Sequence, residues 1–201
     1  MNRKLFEAIK SLFHENLETN FIETIAEILE LTLIKNGITL KQIKNVSEKN
    51  VEDLLFILFD FKILIPNNTC RGLEWQDTEF ALNPNQSFNM PSIIKTIVQL
   101  AIDSSLWNPE EAIRITFDKI GEKEYKKIPY LVKKLYNEAK NYGITGQQIT
   151  RICKELRLEE RAGAIISELK GTGIMSPLLS RSLFTSLKNK SPRYELNPSL
   201  F

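Results

Sequence analysis

The feature that most constrains the fold of this chain is a short sequence that occurs twice. The residues NGITLKQI at 36–43 return as YGITGQQI at 142–149, and five of the seven positions from the glycine onward are identical. A motif that recurs over such a distance marks either a repeated site or a duplicated structural unit. The residues that flank the two copies favour duplication.

Two further landmarks follow each copy in the same order. LFDFKILIP aligns with LKGTGIMSP, and FALNP aligns with YELNP. Three landmarks in one order indicate that a supersecondary unit has been duplicated. On this alignment the second copy has five more residues between its helices and three more in its hairpin. The aligned ranges are 58–66 with 169–177 and 80–84 with 194–198.

The repeated octet itself predicts a turn between two helices. An amphipathic helical pattern precedes each copy, and Gly37 and Gly143 stand where these helices end, a position that favours a left-handed backbone. A threonine two residues later is typical of an N-cap, and a glutamine three residues after it completes a capping box. The predicted caps are Thr39 with Gln42 and Thr145 with Gln148.

Each copy continues with a third helix and a β-hairpin. Apolar residues at helical spacing predict helices over 48–61 and 159–170, and KILIP and GIMSP predict short strands that a proline ends. We expect the returning strands to be LEWQDTEFALNP at 73–84 and PRYELNP at 192–198.

Three helices followed by a hairpin resemble the winged-helix family, and the resemblance covers roughly residues 21–85 and 129–199. The expected fold class is mainly α with small β-hairpins (α+β), as tandem winged-helix domains joined by helices. The expected divisions are an N-terminal amphipathic helix, two winged-helix domains and the helices that connect them. They cover 1–20, 21–90, 91–128 and 129–201.

Composition excludes several classes of activity. Cys70 and Cys153 are too few for a disulfide framework or a zinc site, and His14 is the only histidine. No glycine-rich phosphate loop is present. We therefore expect a protein without enzymatic activity, cofactor or metal. No apolar run is long enough to span a bilayer, so we expect a cytoplasmic protein that does not bind membranes.

Charge distinguishes the two copies. Residues 21–90 carry a net charge of −4, whereas residues 141–201 carry +4. Affinity for nucleic acid depends largely on neutralised phosphates, and winged helices commonly place their third helix in the major groove. We therefore expect double-stranded DNA to bind mainly to the second domain, as in a transcription regulator or a replication or chromosome-associated factor. The candidate contacts are Thr145, Gln147, Gln148, Thr150, Arg151, Lys154, Arg157, Arg161, Ser167, Arg181, Lys188, Lys190 and Arg193.

A second interpretation remains open, because a fold of this kind also serves protein assembly. The chain would then be an interaction scaffold within a larger complex and would make no contact with nucleic acid. Its docking stripe would consist of Leu5, Phe6, Ile9 and Phe13 on the first helix, unless that stripe packs within its own domain. A homodimer is compatible with either interpretation.

Overall fold

The computed structural model describes residues 2–13, 17–47, 50–67, 75, 83, 85–178 and 191–201. Within these residues the protein is a mixed α/β structure with two small antiparallel sheets, as the α+β prediction requires. The helices are α1 (Arg3–Leu12), α2 (Thr19–Lys35), α3 (Leu40–Val46), α4 (Val51–Asp60), α5 (Ser92–Ser104), α6 (Pro109–Lys119), α7 (Ile128–Glu138), α8 (Gly146–Glu155), the 3-10 turn Glu159–Arg161 and α9 (Ala162–Thr172). The strands are β1 (Ile38–Thr39), β2 (Ile65–Pro66), β3 (Ser87–Asn89), β4 (Gly143–Thr145), β5 (Met175–Pro177) and β6 (Arg193–Leu196).

The duplication is confirmed by the order and pairing of these elements. Unit one, α2 to β3, and unit two, α7 to β6, each run helix, strand, two helices and two strands, and the last strand lies in the middle of its sheet. The registers also correspond: Ile38 pairs with Phe88, and Ile144 pairs with Tyr194. Strands β1 and β4 were not predicted, because two or three residues are too few to show an alternating pattern.

The third landmark of the sequence alignment was wrong. Tyr194 corresponds to Phe88, so YELNP matches FNMPS at 88–92 and not FALNP at 80–84. The returning strand of unit one is therefore β3 and not the segment 73–84, most of which lies outside the described residues. Pro66 pairs with Phe88 and Pro177 with Tyr194, which makes the second hairpin five residues shorter rather than three longer.

The predicted caps are confirmed, but one of the two glycine roles is not. Both threonines accept a hydrogen bond from the backbone of their glutamine, and both capping boxes are complete. Gly37 has a left-handed φ of +141° as expected. Gly143 lies in β4 instead, and Asn141 and Tyr142 take the left-handed conformations before it. A Cβ on Gly143 would lie 3.2 Å from the Lys140 carbonyl oxygen, so close packing is what favours glycine there.

Helix α5 joins the two units. Its apolar face packs against α1, α2 and α6, and Ile93, Ile94, Ile97 and Val98 are fully buried. One continuous apolar core extends from α1 to the last strand. α1 also packs against α2, as α6 packs against α7, so each unit is preceded by a helix that contacts α5.

The predicted docking stripe belongs to this core. Leu5, Ile9 and Phe13 are buried and Phe6 is partly buried, because α1 lays its apolar face on α2 and α5. The structure therefore corrects the expectation that these four residues are available to a partner protein. Their alternative role, packing within the chain itself, is the one observed.

The two units also contact each other directly. The buried Asn197 side chain donates to the Lys62 carbonyl at 3.2 Å and to the Gly173 carbonyl at 3.1 Å. Gly173 has a left-handed φ of +80°, and a Cβ on it would lie 2.4 Å from the Cβ of Pro91. Any larger residue would force the end of α9 away from the start of α5.

Candidate nucleic-acid interface

A polar cavity lies at the corner of unit two, where α8 begins beside β6. Its volume is about 290 Å³. The cavity brings together four of the predicted contact residues, Thr145, Gln147, Gln148 and Arg193. We call it the corner cavity. It is lined by Lys140, Gly143, Ile144, Thr145, Gln147, Gln148, Ser191 and Arg193.

The backbone around the corner cavity explains its shape. Gly146 is the first residue of α8 and donates its N–H to the Pro192 carbonyl at 2.8 Å, and Gln147 N–H donates to Ser191 Oγ at 2.9 Å. A Cβ on Gly146 would lie 3.1 Å from Pro192 Cγ. The absence of a side chain therefore lets the chain before β6 lie against the start of the helix. The first amides of α8 are already bonded, so its side chains have to supply the charge for any anion.

Two cationic side chains supply that charge. Lys140 lies in the tight turn before β4, where its N–H and C=O bond with Gly143 at 3.1 and 2.9 Å. Lys140 and Arg193 are both exposed, and neither forms an ion pair within the described residues. None of the described lining residues carries a carboxylate. The cavity is therefore suited to an anion.

Lys140 was not among the predicted contacts. It stands before the repeated octet, and only the left-handed residues at 141 and 142 bring it round to the cavity. The pattern that could have found it is the pair Asn141–Tyr142 beside Gly143, since asparagine adopts a left-handed backbone more readily than most residues.

The basic residues predicted along α8 are paired with glutamates. Arg151 forms an ion pair with Glu138 on α7 and lies 3.9 Å from Glu155. Lys154 lies 3.9 Å from Glu159. Both side chains are exposed, so these pairs are weak and a phosphate would compete with them. The glutamates still lower the positive potential of α8, where the sequence analysis predicted DNA contacts.

Arg161 has a structural role instead. Its Nη2 donates to Glu122 Oε2 at 2.5 Å and lies 3.5 Å from Glu168 Oε1, and the Glu122 side chain is fully buried. The pKa of Glu168 is raised, mainly because the side chain is partly buried and to a lesser extent because Glu122 is its neighbour; Arg161 has the opposite effect. This cluster holds the start of α9 to the connection between α6 and α7. Arg161 is therefore unavailable to bind DNA while the cluster is intact.

The other predicted contacts in the described part of the chain have exposed side chains, and two of them bond to the backbone of their own helix. Thr150 and Ser167 are exposed, but each hydroxyl donates to the carbonyl four residues before it, at 3.0 and 3.2 Å. Arg157 is exposed and has no ion pair within the described residues. Three predicted contacts lie outside the described residues, namely Arg181, Lys188 and Lys190.

The corresponding surface of unit one has the opposite charge. On α4 the side chains of Glu52, Asp53 and Asp60 are exposed. These carboxylates would repel a phosphate backbone. The third helix of unit one therefore presents a negatively charged surface.

The described residues contain no side-chain cluster typical of a metal centre. No group of three or more His, Cys, Asp or Glu side chains converges within the described ranges. The Cys153 thiol is buried, which raises its pKa to about 11 and keeps it protonated at neutral pH. No helix in the described part of the chain has both the length and the apolar character needed to cross a bilayer.

A second, larger cavity of about 510 Å³ is mainly apolar. It lies between the end of α1, the end of α4 and the C-terminal residues, and its walls include Phe13, Trp107, Tyr142 and Phe201. Phe13 and Phe61 meet edge to face with ring centres 4.8 Å apart. None of its lining residues is a carboxylate, lysine, arginine, histidine or cysteine in the described part of the chain.

Fold and cavities together define an α+β protein built from two like units, with an anion-compatible corner on the second. Residues 7–201 match the profile of a protein family of unknown function, and the chain belongs to that family. No curated protein and no solved structure matches the chain.

Proposed function

We propose that the protein is a non-enzymatic, cytoplasmic tandem winged-helix protein that binds double-stranded DNA through its second unit. Support for the winged-helix assignment comes from the order helix, strand, helix, helix, strand, strand in both units. It comes also from the place of the last strand in the middle of each sheet. A role as a transcription regulator or as a replication or chromosome-associated factor is consistent with this assignment.

The observation that carries the DNA proposal is the corner cavity. Lys140 and Arg193 present two cations that have no ion pair among the described residues, beside Gln147 and Ser191, in a cavity whose described lining has no carboxylate. Cationic and polar side chains of this kind are what hold phosphate oxygens in protein–DNA complexes. These features favour the corner as the DNA contact over the ion-paired face of α8 and the Arg161 cluster.

This location predicts binding with little sequence preference. The exposed residues along α9 include Gly163, Ala164 and Ser167, which offer few groups for the bidentate bonds that read base edges. Glu159 and Glu160 precede them and are also exposed. Phosphate contacts fix position but carry no sequence information directly. We expect affinities that differ little between unrelated duplexes.

The test is an anisotropy titration of the full chain with a short duplex of random sequence. Raising salt from about 50 to about 200 mM should weaken binding about ten- to fortyfold if two or three phosphates are contacted. The variant Lys140→Glu/Arg193→Glu should abolish binding. The matched control is Lys41→Glu/Lys44→Glu, which makes the same charge change at exposed positions on α3 of unit one. Equal losses in both variants would contradict the proposal.

The second candidate, a protein-interaction scaffold without nucleic-acid contact, is favoured by one observation. Arg151, Lys154 and Arg161 all have glutamate partners, so much of the basic charge of unit two is already neutralised. A wild-type chain that binds no duplex at low salt would favour this candidate. A solution-mass measurement on the same sample gives the number of chains in the binding species.

A further inference from the structure

The carboxylate of Glu195 lies on the same strand as the arginine of the corner cavity. Glu195 follows Arg193 by two positions on β6, and residues two apart on a strand point to the same face. Gly143 is the residue directly opposite Glu195, and Arg193 Nη2 lies 3.8 Å from the place that a Cβ on Gly143 would occupy. The guanidinium thus leans along the strands toward Glu195.

Glu195 and Arg193 form no ion pair in the described part of the chain, and Glu195 contacts unit one. Trp75, which is only 4% exposed, donates its indole N–H to Glu195 Oε2 at 2.6 Å. The Lys62 ammonium is near enough for Glu195 to oppose the burial that lowers the pKa of Lys62. Unit one therefore brings one donor and one cation to a carboxylate of unit two.

The consequence for an anion in the corner cavity is direct. A carboxylate beside an arginine competes with a phosphate for the same N–H groups, and a neighbour on the same strand competes at high effective concentration. Its negative charge also repels the phosphate. Holding Glu195 on Trp75 and beside Lys62 removes the first effect and reduces the second.

We infer that Trp75 is a positioning residue for the DNA site: it holds Glu195 away from Arg193 and so leaves the guanidinium free to bind a phosphodiester. The inference rests on the proposed function, since it assumes that Arg193 contacts DNA. It also assigns a role to unit one, whose own third helix is acidic. Unit one prepares the binding surface of unit two without touching the duplex.

The experiment compares the wild type with three full-length variants by duplex titration over a range of salt. Trp75→Phe keeps an aromatic ring but removes the donor, and should weaken binding about three- to tenfold and reduce the salt dependence by about one phosphate contact. Adding Glu195→Gln removes the competing charge and should restore the wild-type affinity. Glu195→Gln alone should bind at least as tightly as the wild type.

The matched control is Trp107→Phe. Trp107 also donates its indole N–H within the fold, to the Ser199 carbonyl at 2.8 Å, but it does not contact the corner cavity. Its removal should leave affinity and salt dependence unchanged. Thermal midpoints of the wild type, the three variants and the control are measured alongside, so that a loss of folded protein is not counted as a loss of binding.

The outcomes separate this inference from the proposed function. A wild-type chain that binds no duplex overturns both. Binding by the wild type that is unaffected by Trp75→Phe overturns the inference alone. A loss in Trp75→Phe that Glu195→Gln does not reverse also overturns it, because Trp75 would then act on the fold and not through the charge of Glu195.

Discussion

The two corners of the molecule share a backbone but differ in chemistry. Leu40 in unit one and Gly146 in unit two each begin a helix and each donate to the carbonyl before the central strand, at 2.9 and 2.8 Å. Leu40 is buried, whereas the missing side chain at Gly146 leaves the chain before β6 lying against α8. The shared caps and apolar residues set the architecture, and a few differing positions set what the corner can bind.

The charged positions differ in the same way. In the sequence alignment, unit one has the exposed Ile34 at the position of Lys140, although Ile34 belongs to α2 and Lys140 follows α7. In the strand pairing, unit one has Ser87 at the position of Arg193. Unit one therefore serves as an internal control, because a residue of the corner cavity can be replaced by the corresponding residue of unit one.

The largest effect is expected where the two corners differ in packing. Leu40→Ala removes a fully buried side chain and should lower the free energy of unfolding by about 3 kcal/mol. Gly146→Ala should change it by less than about 1 kcal/mol, since the nearby Pro192 is exposed and can shift by the few tenths of an ångström needed. Chemical denaturation of both variants measures this difference. Equal losses would show that the two positions are packed alike.

The next effect is on affinity. Lys140→Ile and Arg193→Ser give unit two the residues of unit one, and each should weaken duplex binding about tenfold. Because both cations line one cavity, the loss in the double variant should differ from the product of the two single losses. The loss should be the same for duplexes of different sequence, because it removes phosphate contacts. A loss confined to one sequence would indicate base reading. Titration against several duplexes makes the comparison.

The capping boxes should give equal effects on stability and unequal effects on binding. Thr39→Ala and Thr145→Ala each remove a confirmed N-cap and should each cost about 1 kcal/mol of unfolding free energy. Only Thr145 lines the corner cavity, so only its variant should also weaken binding. Thermal unfolding and duplex titration of the pair provide the measurement. A binding loss in Thr39→Ala would place part of the site in unit one.

The smallest effect concerns the buried cluster at α9. Because the pKa of Glu168 is raised in the folded protein, its stabilising contribution is complete below the pKa of an unfolded glutamate and is lost as pH rises through the raised value. Glu168→Gln should therefore match the wild type in acid and become slightly more stable than it near neutrality. Denaturation at several pH values tests this, with the exposed Glu7→Gln as a control for the change in charge. A constant difference at all pH values would contradict it.

The helices and caps were predictable because their signals are local. A threonine, a glutamine three residues later and flanking isoleucines specify the corner within seven residues, and the structure forms it twice. The returning strand of unit one was predicted at the wrong position because the sequence Leu-Asn-Pro occurs both at 82–84 and at 196–198. The structural match of Tyr194 is Phe88, and pairing across a sheet cannot be read from one strand alone.

The site was less predictable because its electrostatics come from distant residues. Arg161 resembles a free surface cation in the sequence, but its partner Glu122 is 39 positions away. Trp75 and Glu195 are 120 positions apart, and nothing in either segment indicates that they meet. Local sequence places a charged residue on a helix or strand, whereas only the tertiary arrangement decides whether its charge is already neutralised.

Because α5 is covered by α1 on one side and by α6 on the other, neither unit can be cut out of the chain without exposing the isoleucines of that helix. A fragment ending before α5 would leave α1 without its main neighbour, and one beginning there would carry a bare apolar surface prone to self-association. We therefore expect the duplicated halves to fold together. We expect the two halves to unfold in one cooperative step, unlike domains that are joined by a flexible linker.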